Sequence, residues 1–344
     1  MSPPRTFLNG GSMDNHYDEA MRHAISLALL GEGKTGSNPI VGAVILDSNG
    51  QKVSEGFHSG GDHAEVGAIK AAKSIPSGST IVVTLEPCNH TGRTGPCVDA
   101  IIDAGISRVV YATADPNPIA AGGADRLREA GIEVVSGVLE SASRFFNRAW
   151  FSVIEKRRPL FIWKIAATLD GKTAALDGSS KWITSDPSRE FVSFLRRKCD
   201  GILVGTGTII ADNPELIPHD DEEIKNPLRI VMGNREIPAN SHVLDDRAEL
   251  LHVKSHDFSE LVSQLLERGI KFVFVEAGSE LGTAMMRENL IDEIMLFQAP
   301  SILGAGRNFI GDLGISTLAE RKNLEVLAVR EIGKDIFTHL KVGI

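Results

Sequence analysis

The sequence predicts a two-domain α/β protein. Three observations carry this: short β-rich runs alternate with helical stretches, the alternation breaks once near mid-chain, and 344 residues suffice for two cores. A content of 42% hydrophobic and 24% charged residues is that of an ordinary soluble globular chain.

In the first half, small or apolar residues at 17, 20, 21, 24, 25 and 28 fall at helical spacing. VGAVIL (41–46) is a strand after the Asn38-Pro39 punctuation, and His63 to Ala72 is Ala-rich and helical. STIVVTLE (79–86) reads as a buried strand, VDAIIDAG (98–105) as a helix closed by Gly105, and RVVYAT (108–113) as a strand. A helix ending at Gly131 and the run IEVVSG follow. Such alternation predicts a layered domain with a largely parallel sheet. The segment FFNRAWFSVIEKRRP, near 145–158, carries no clean period and ends in a basic cluster and Pro159, which places the domain boundary there. The expected division is an extension over 1–12, one domain over 13–150 and a second over 158–344. In the second, FIWKIAAT, GILVG, LRIVM, ELLHV, FVFVE and EIMLFQ are strands, with helices near 186–198, 257–268 and 280–290. EVLAVREI and DIFTHLKV alternate like late strands of a mixed sheet.

A net charge of −9 without a basic stripe argues against nucleic acid and for a small-molecule substrate. Three cysteines, Cys88, Cys97 and Cys199, do not make a disulfide framework and suit a reducing, cytoplasmic setting. No apolar run has the length of a membrane span. The residues MSPPRTFLNGGS lack the apolar core of a signal peptide and read as a disordered extension ahead of Met13, a candidate alternative start.

The strongest constellation is His63-Ala64-Glu65 opening a helix, Pro87-Cys88 following a strand, and Cys97 after eight intervening residues. One imidazole and two thiolates make a three-ligand zinc site whose fourth position stays open, as catalysis requires. Zinc brings the pKa of a bound water towards neutrality. Glu65 can reach that water and shuttle its proton to a ring and then to leaving ammonia, the H-x-E…P-C arrangement of zinc base deaminases. The bland alternative is that these thiols and imidazole are merely buried. The polar, Gly-rich loop NHTGRTGP between the cysteines speaks against it. That loop also offers His90 and Arg93 as donors to a phosphate or sugar, or else is a solvated turn.

TLEPCNHTGRTGPC (84–97) resembles the signature of the bifunctional riboflavin-biosynthesis deaminase/reductase family. Related cytidine and tRNA-adenosine deaminases usually space these cysteines by two, and the family loop more often has a second proline where Gly95 stands. SNPIVGAVI (37–45), GFH (56–58) and DPNPIAAGG (115–123) resemble further family elements. They imply Asn38 and His58 as substrate contacts and Asn117 facing the site. The resemblance implies a three-layer α/β/α cytidine-deaminase-like domain acting on the 2-amino group of a phosphoribosylated diaminopyrimidinone.

KIAATLDGKTAALDGSSKWITSD (164–186), GILVGTGTIIADNPEL (201–216) and FVFVEAGSELGTAMM (272–286) resemble the family's reductase. Physically, the last is a strand running through Gly278 into a helix whose first N–H groups can hold a phosphate, though not in a G-x-G-x-x-G pattern. The resemblance implies a dihydrofolate-reductase-like α/β domain binding NADPH. By position, Ala166, Trp182, Thr208, Asp212 and Gly278, Ser279, Glu280, Leu281, Gly282, Thr283 and Ala284 would line the cofactor. Lys164, Ser180, Arg196, Leu216 and Glu276 would contact substrate, their task being orientation for hydride transfer. Trp182 could instead be a core aromatic, and Arg196 with Arg197 a solvated helix face. Where the family pattern DNPxLTxR ends in arginine, this chain has Ile217 and His219, and imidazole grips phosphate less well than a guanidinium fork. Either His219 suffices, or another cation such as Lys181 compensates, or the reductase is weaker. Cys199 reads as structural.

The expectation is a bifunctional enzyme with one zinc ion and NADPH, a homo-oligomer pairing through its reductase domains. Three alternatives remain at this point: a zinc deaminase of another base or nucleoside, an active deaminase of this kind beside a degenerate reductase, and a binding protein with a closed four-ligand structural zinc and an inactive nucleotide-binding domain.

Overall fold

The structure, a computed structural model, describes residues 16–91, 95–218 and 226–343. The expected extension over 1–12, Arg93 and His219 lie outside the described residues. Two compact units divide between Arg157 and Arg158.

The first unit runs α1 (Asp18–Leu29), β1 (Gly42–Leu46), β2 (Lys52–Phe57), α2 (Ala64–Ala71), β3 (Thr80–Leu85), α3 (Cys97–Asp103), β4 (Arg108–Thr113), α4 (Gly123–Glu129), β5 (Glu133–Ser136), α5 (Glu140–Phe146) and α6 (Arg148–Lys156). The sheet order is β2-β1-β3-β4-β5. Strand alternation sorts the side chains into two cores. Ala43, Ile45, Ile81, Val83, Val109 and Tyr111 face Ala64 and Ala68 of α2, Val98 and Ile101 of α3, and Leu127 of α4. Val44, Leu46, Val82, Val110 and Ala112 face Met21, Ala24 and Ile25 of α1 and Ala142 of α5. Helices thus cover both faces, a three-layer α/β/α arrangement.

Two sequence readings are corrected here. Only β3-β4 and β4-β5 pair in parallel, whereas β1 runs against both neighbours. The β1–β2 connection, closed by Asp47 and Gln51, is too short for a parallel crossover. The segment without clean period is not irregular: it forms α5 and α6, and Trp150 and Phe151 bury into the α2–α4 core.

The second unit holds β6 (Leu160–Thr168), β7 (Lys172–Ala174), α7 (Asp186–Arg196), β8 (Gly201–Gly205), α8 (Thr206–Asp212), β9 (Leu228–Met232), β10 (Leu250–Val253), α9 (Phe258–Glu267), β11 (Phe272–Val275), α10 (Ser279–Arg287), β12 (Glu293–Ala299), β13 (Arg307–Asn308), β14 (Leu324–Ile332) and β15 (Asp335–Val342). Its main sheet has the order β10-β9-β8-β11-β6-β12-β15-β14. The strands from β10 to β12 are parallel, and β15 and β14 close the sheet antiparallel. The chain winds outward from β8 through β9 to β10, then returns to β11 on the other side of β8. That reversal opens a crevice at the carboxyl ends of β8 and β11, where open α/β sheets bind ligands. Among the described residues no helix is long and apolar enough to cross a membrane.

Candidate active sites

His63 is the N-cap of α2, with extended backbone at φ −68° and ψ 158°. Cys88 lies just beyond β3, and Cys97 opens α3. His63 Nδ1 is 3.2 Å from Cys97 Sγ and 3.6 Å from Cys88 Sγ. The three donor atoms all lie within 4.8 Å of one another. The donors fit zinc: the Cys97 N–H points at Cys88 Sγ from 3.5 Å, favouring thiolate there. Hydrogen bonding from the Cys97 thiol pushes Cys88 down to about 4. The same contact, with burial, pushes Cys97 up. Glu65, in the first turn of α2, is 4% exposed, and burial pushes its carboxyl up to about 7. A carboxyl poised near neutrality can both take and return a proton.

In the second unit Glu276, just beyond β11, is gripped by Arg196 of α7. The guanidinium Nε and Nη2 donate to its two oxygens at 2.6 and 2.9 Å. Lys164 Nζ on β6 stands 3.6 Å away. Burial alone would raise the Glu276 carboxyl, but Arg196 and Lys164 prevail and hold it at about 2. Beside it, the crevice forms a cavity of about 620 Å³. Its walls are Gly205–Thr208 entering α8, Met232–Arg235 after β9, and Gly278–Leu281 entering α10, with Ala284, His256 and Arg307. The amino end of α10 and two guanidiniums suit a phosphate-bearing cofactor.

A family model of the RibD C-terminal domain matches residues 159–338. A model of the cytidine and deoxycytidylate deaminase zinc-binding region matches 14–113. The riboflavin biosynthesis protein RibD of Mycobacterium tuberculosis is 41% identical over 329 residues, covering 94% of this chain and 96% of its own. The chain belongs to the RibD family. The Escherichia coli RibD is 34% identical over 366 residues, covering 95% and 99% of the two chains. The Thermotoga maritima deaminase/reductase structure superposes with a TM-score of 0.85 at 33% identity, covering 95% of this chain and 99% of that one. Like the rest of the RibD family, this protein is a bifunctional riboflavin-biosynthesis enzyme that joins a zinc-binding deaminase domain to a reductase domain of the NADPH-dependent type.

The fold brings most of the sequence candidates together and rearranges others. His58 is buried, its ring edge-on to His63 at 5.4 Å. Its Nδ1 lies 3.0 Å from the Asp62 carbonyl, which only accepts, so Nε2 is left to accept from Asn38 Nδ2 at 3.4 Å. Asn38 itself is exposed. His90 is half-buried, with Nδ1 buried and unpartnered among the described residues. Asn117 turns its side-chain oxygen to the Ile119 N–H within its own loop.

In the RibD reductase domain Lys164, Arg196 and Glu276 meet as described, and Arg196 Nη1 also holds the Ile217 carbonyl at 2.9 Å. Arg196 is therefore no solvated helix face. Leu216 is 1% exposed with φ +53°, so its side chain belongs to the interior. Trp182 is 69% exposed, which excludes the core-aromatic reading. Ser180 lies half-buried in the same loop. Thr208, Gly278, Ser279, Glu280, Leu281 and Ala284 line the cavity, whereas Ala166, Trp182, Asp212, Gly282 and Thr283 are not in its wall. Helical periodicity explains the last two. Gly282 faces the core, where a Cβ would lie 2.1 Å from the Trp163 ring, and Thr283 accepts from the Gly311 N–H at 2.8 Å. Cys199 is buried and donates to the Arg196 carbonyl at 3.2 Å.

Five residues that brace or line the sites were not read from the sequence. Glu86 accepts from the Asp115 and Ala124 N–H groups at 3.2 and 2.9 Å, pinning the 115–124 loop behind the thiols. Gly123 approaches the Pro87-Cys88 turn so closely that a Cβ would sit 1.8 Å from the Pro87 oxygen. Asn147 clasps both polar groups of Ile40 at 2.9 Å, setting the Asn38-Pro39 turn. Arg235, in the loop after β9, and Arg307, on the two-residue strand β13, reach the cavity from segments without sequence period. Only the Gly122-Gly123 pair carried a local signal.

Proposed function

We propose that His63, Cys88 and Cys97 hold one zinc ion, and that Glu65 moves the protons in hydrolytic deamination of the phosphoribosylated diaminopyrimidinone. Zinc, when bound, supplies a water acidic enough to attack at neutral pH. With zinc bound, Glu65 would take the proton of the attacking water, deliver it to the ring nitrogen, and pass the added hydroxyl's proton to the ammonia that leaves as the exocyclic C–N bond breaks. Asn38 and His58 orient the ring, and His90 and Arg93 serve as donors to its phosphate or sugar. The observation that carries this reading is three donor atoms of zinc-ligand type within 4.8 Å, beside a buried carboxyl.

In the second unit the proposed reaction is reduction of the product's ribosyl group to ribityl, with NADPH as hydride donor. Lys164, Ser180 and Glu276, the last held by Arg196, position the opened sugar. Trp182 and Ala166 lie towards the nicotinamide, and the cavity takes the remainder of the cofactor. His219 would stand where the family arginine grips phosphate. The reading extends to pairing of reductase units. β14 is an edge strand with Val326 and Val329 54% and 60% exposed, apolar surface that a second copy would cover. Free thiols as zinc ligands suit a reducing cytoplasm.

The test mixes the full chain with the diaminopyrimidinone ribosyl phosphate, with and without NADPH, following ammonia and nicotinamide absorbance. The wild type releases ammonia without NADPH and consumes NADPH after deamination. Glu65→Gln keeps its zinc but loses ammonia release by about 10²-fold or more. Retained deamination in that variant refutes the proton role.

A further inference from the structure

The hairpin between β14 and β15 turns at Gly333-Lys334, and the residue after it, Asp335, is fully buried. Its Oδ2 accepts three hydrogen bonds: from the Ser185 N–H at 2.7 Å, the Ser185 hydroxyl at 2.6 Å and the Ser188 hydroxyl at 2.6 Å. Its other oxygen is buried without a partner among the described residues, so these three contacts carry the stabilisation of the carboxylate. The turn is fitted to the same place. Gly333 has φ +61°, and a Cβ there would lie 3.0 Å from Ser185 Oγ and 3.1 Å from Pro187 Cγ.

Ser185 is the N-cap of α7, yet its side chain makes no capping bond to the helix. The hydroxyl is turned to Asp335 instead, which places an anion at the favourable end of the helix dipole. Just upstream lies the loop bearing Ser180 and Trp182. Arg189 of α7 covers the Trp182 ring at 4.5 Å and donates to the Thr184 carbonyl at 2.8 Å. Trp182 is 69% exposed, so no core packing fixes it. The loop is held through residues 184–189, and these hang on one carboxylate about 150 positions further along the chain.

We propose that Asp335 is a positioning residue for the reduction step: it anchors the 180–185 loop so that Ser180 and Trp182 meet the sugar and the nicotinamide in register. The inference rests on the proposed roles of Ser180 and Trp182. Hydride transfer depends on orientation, and a displacement of about 1 Å at the reacting groups lowers its rate by about 10²-fold. The cavity that takes the rest of the cofactor is built from other elements. Loss of the anchor therefore lowers kcat while leaving NADPH affinity nearly unchanged.

The experiment uses full-length Asp335→Asn, Ser188→Ala and Trp182→Ala, supplied with the deaminated intermediate. NADPH oxidation, NADPH dissociation by fluorescence titration, ammonia release and thermal unfolding are all measured. Ser188→Ala removes one of the three bonds without stranding a charge, so it reads the anchor even where Asp335→Asn loosens the fold. Expected results are a kcat for reduction down about 10- to 100-fold in Asp335→Asn and several-fold in Ser188→Ala, with NADPH dissociation and ammonia release unmoved. If Trp182→Ala lowers reduction while Asp335→Asn and Ser188→Ala match the wild type, the anchoring role is overturned and the loop's role stands. If Trp182→Ala itself reduces at the wild-type rate, the reading of the loop fails, and the inference with it. A loss of NADPH affinity in Ser188→Ala equal to its loss in kcat marks a general structural role and also overturns it.

Discussion

Glu276→Gln perturbs the reductase unit at its most tightly coupled point. The change keeps size and removes the charge that Arg196 and Lys164 surround. Glu276 is held at about 2 against an ordinary 4.5, which corresponds to about 3 kcal/mol in favour of the carboxylate. The group is nearly buried, with side-chain exposure of 9% for Glu276 and 13% for Arg196, so solvent screening takes little from that figure. A second route agrees: removing one partner of a buried ion pair costs about 3–5 kcal/mol, since the other charge is stranded. For a unit of this size that is a drop in Tm of roughly 6–12 °C. The sign with pH follows from the lowered carboxyl. The stabilisation is fully present above about pH 4.5 and is lost as pH falls from there towards 2. Calorimetry of wild type and variant at pH 7 is expected to show the reductase transition lowered by that amount and the deaminase transition unmoved, with the gap narrowing below pH 4.5. A variant within about 1 °C of wild type at pH 7, or a gap indifferent to acid, would refute the reasoning.

Gly123→Ala tests the support of the metal site. Its Cβ would meet the Pro87 oxygen at 1.8 Å, so the Pro87-Cys88 turn must shift, at about 1–3 kcal/mol. Metal analysis is expected to find reduced zinc and a parallel fall in ammonia release, with reduction of the deaminated intermediate intact. Full zinc at wild-type activity contradicts it. Arg235→Ala tests the cavity's choice of cofactor. A guanidinium there suits a ribose phosphate better than a hydroxyl, and losing a charged hydrogen bond weakens binding about 10- to 100-fold. NADPH affinity is expected to fall by that factor while NADH affinity changes little, and equal losses for both cofactors sink the assignment.

How readily each element could be read followed its surroundings. β3, β4, β8 and β9 are buried on both faces, so they appear as unbroken apolar runs that need no neighbour to interpret. β2 does not: it is the edge strand KVSEGF, half exposed and polar, and the sequence shows little at that position. α8 begins Thr-Gly-Thr, a poor helix start by propensity, and forms at the mouth of the crevice all the same. α6 does carry a helical spacing, with Trp150, Phe151 and Ile154 turned to one core, but over so few residues, and so close to the basic cluster that follows, that the sequence alone does not mark a helix.

The sequence by itself determined the alternation that makes both sheets, and the metal chemistry. Thiols are scarce in this chain, three in 344 residues, and two of them beside a Pro-Cys turn and a His-x-Glu helix start announce a task. The tertiary structure alone decided which groups brace the two sites. Glu86 finds its partners 29 and 38 residues away, Asn147 finds Ile40 at 107, and Asp335 finds Ser185 at 150. Such contacts leave no trace in periodicity or spacing, because a hydrogen bond constrains positions in space and is indifferent to the length of chain between them.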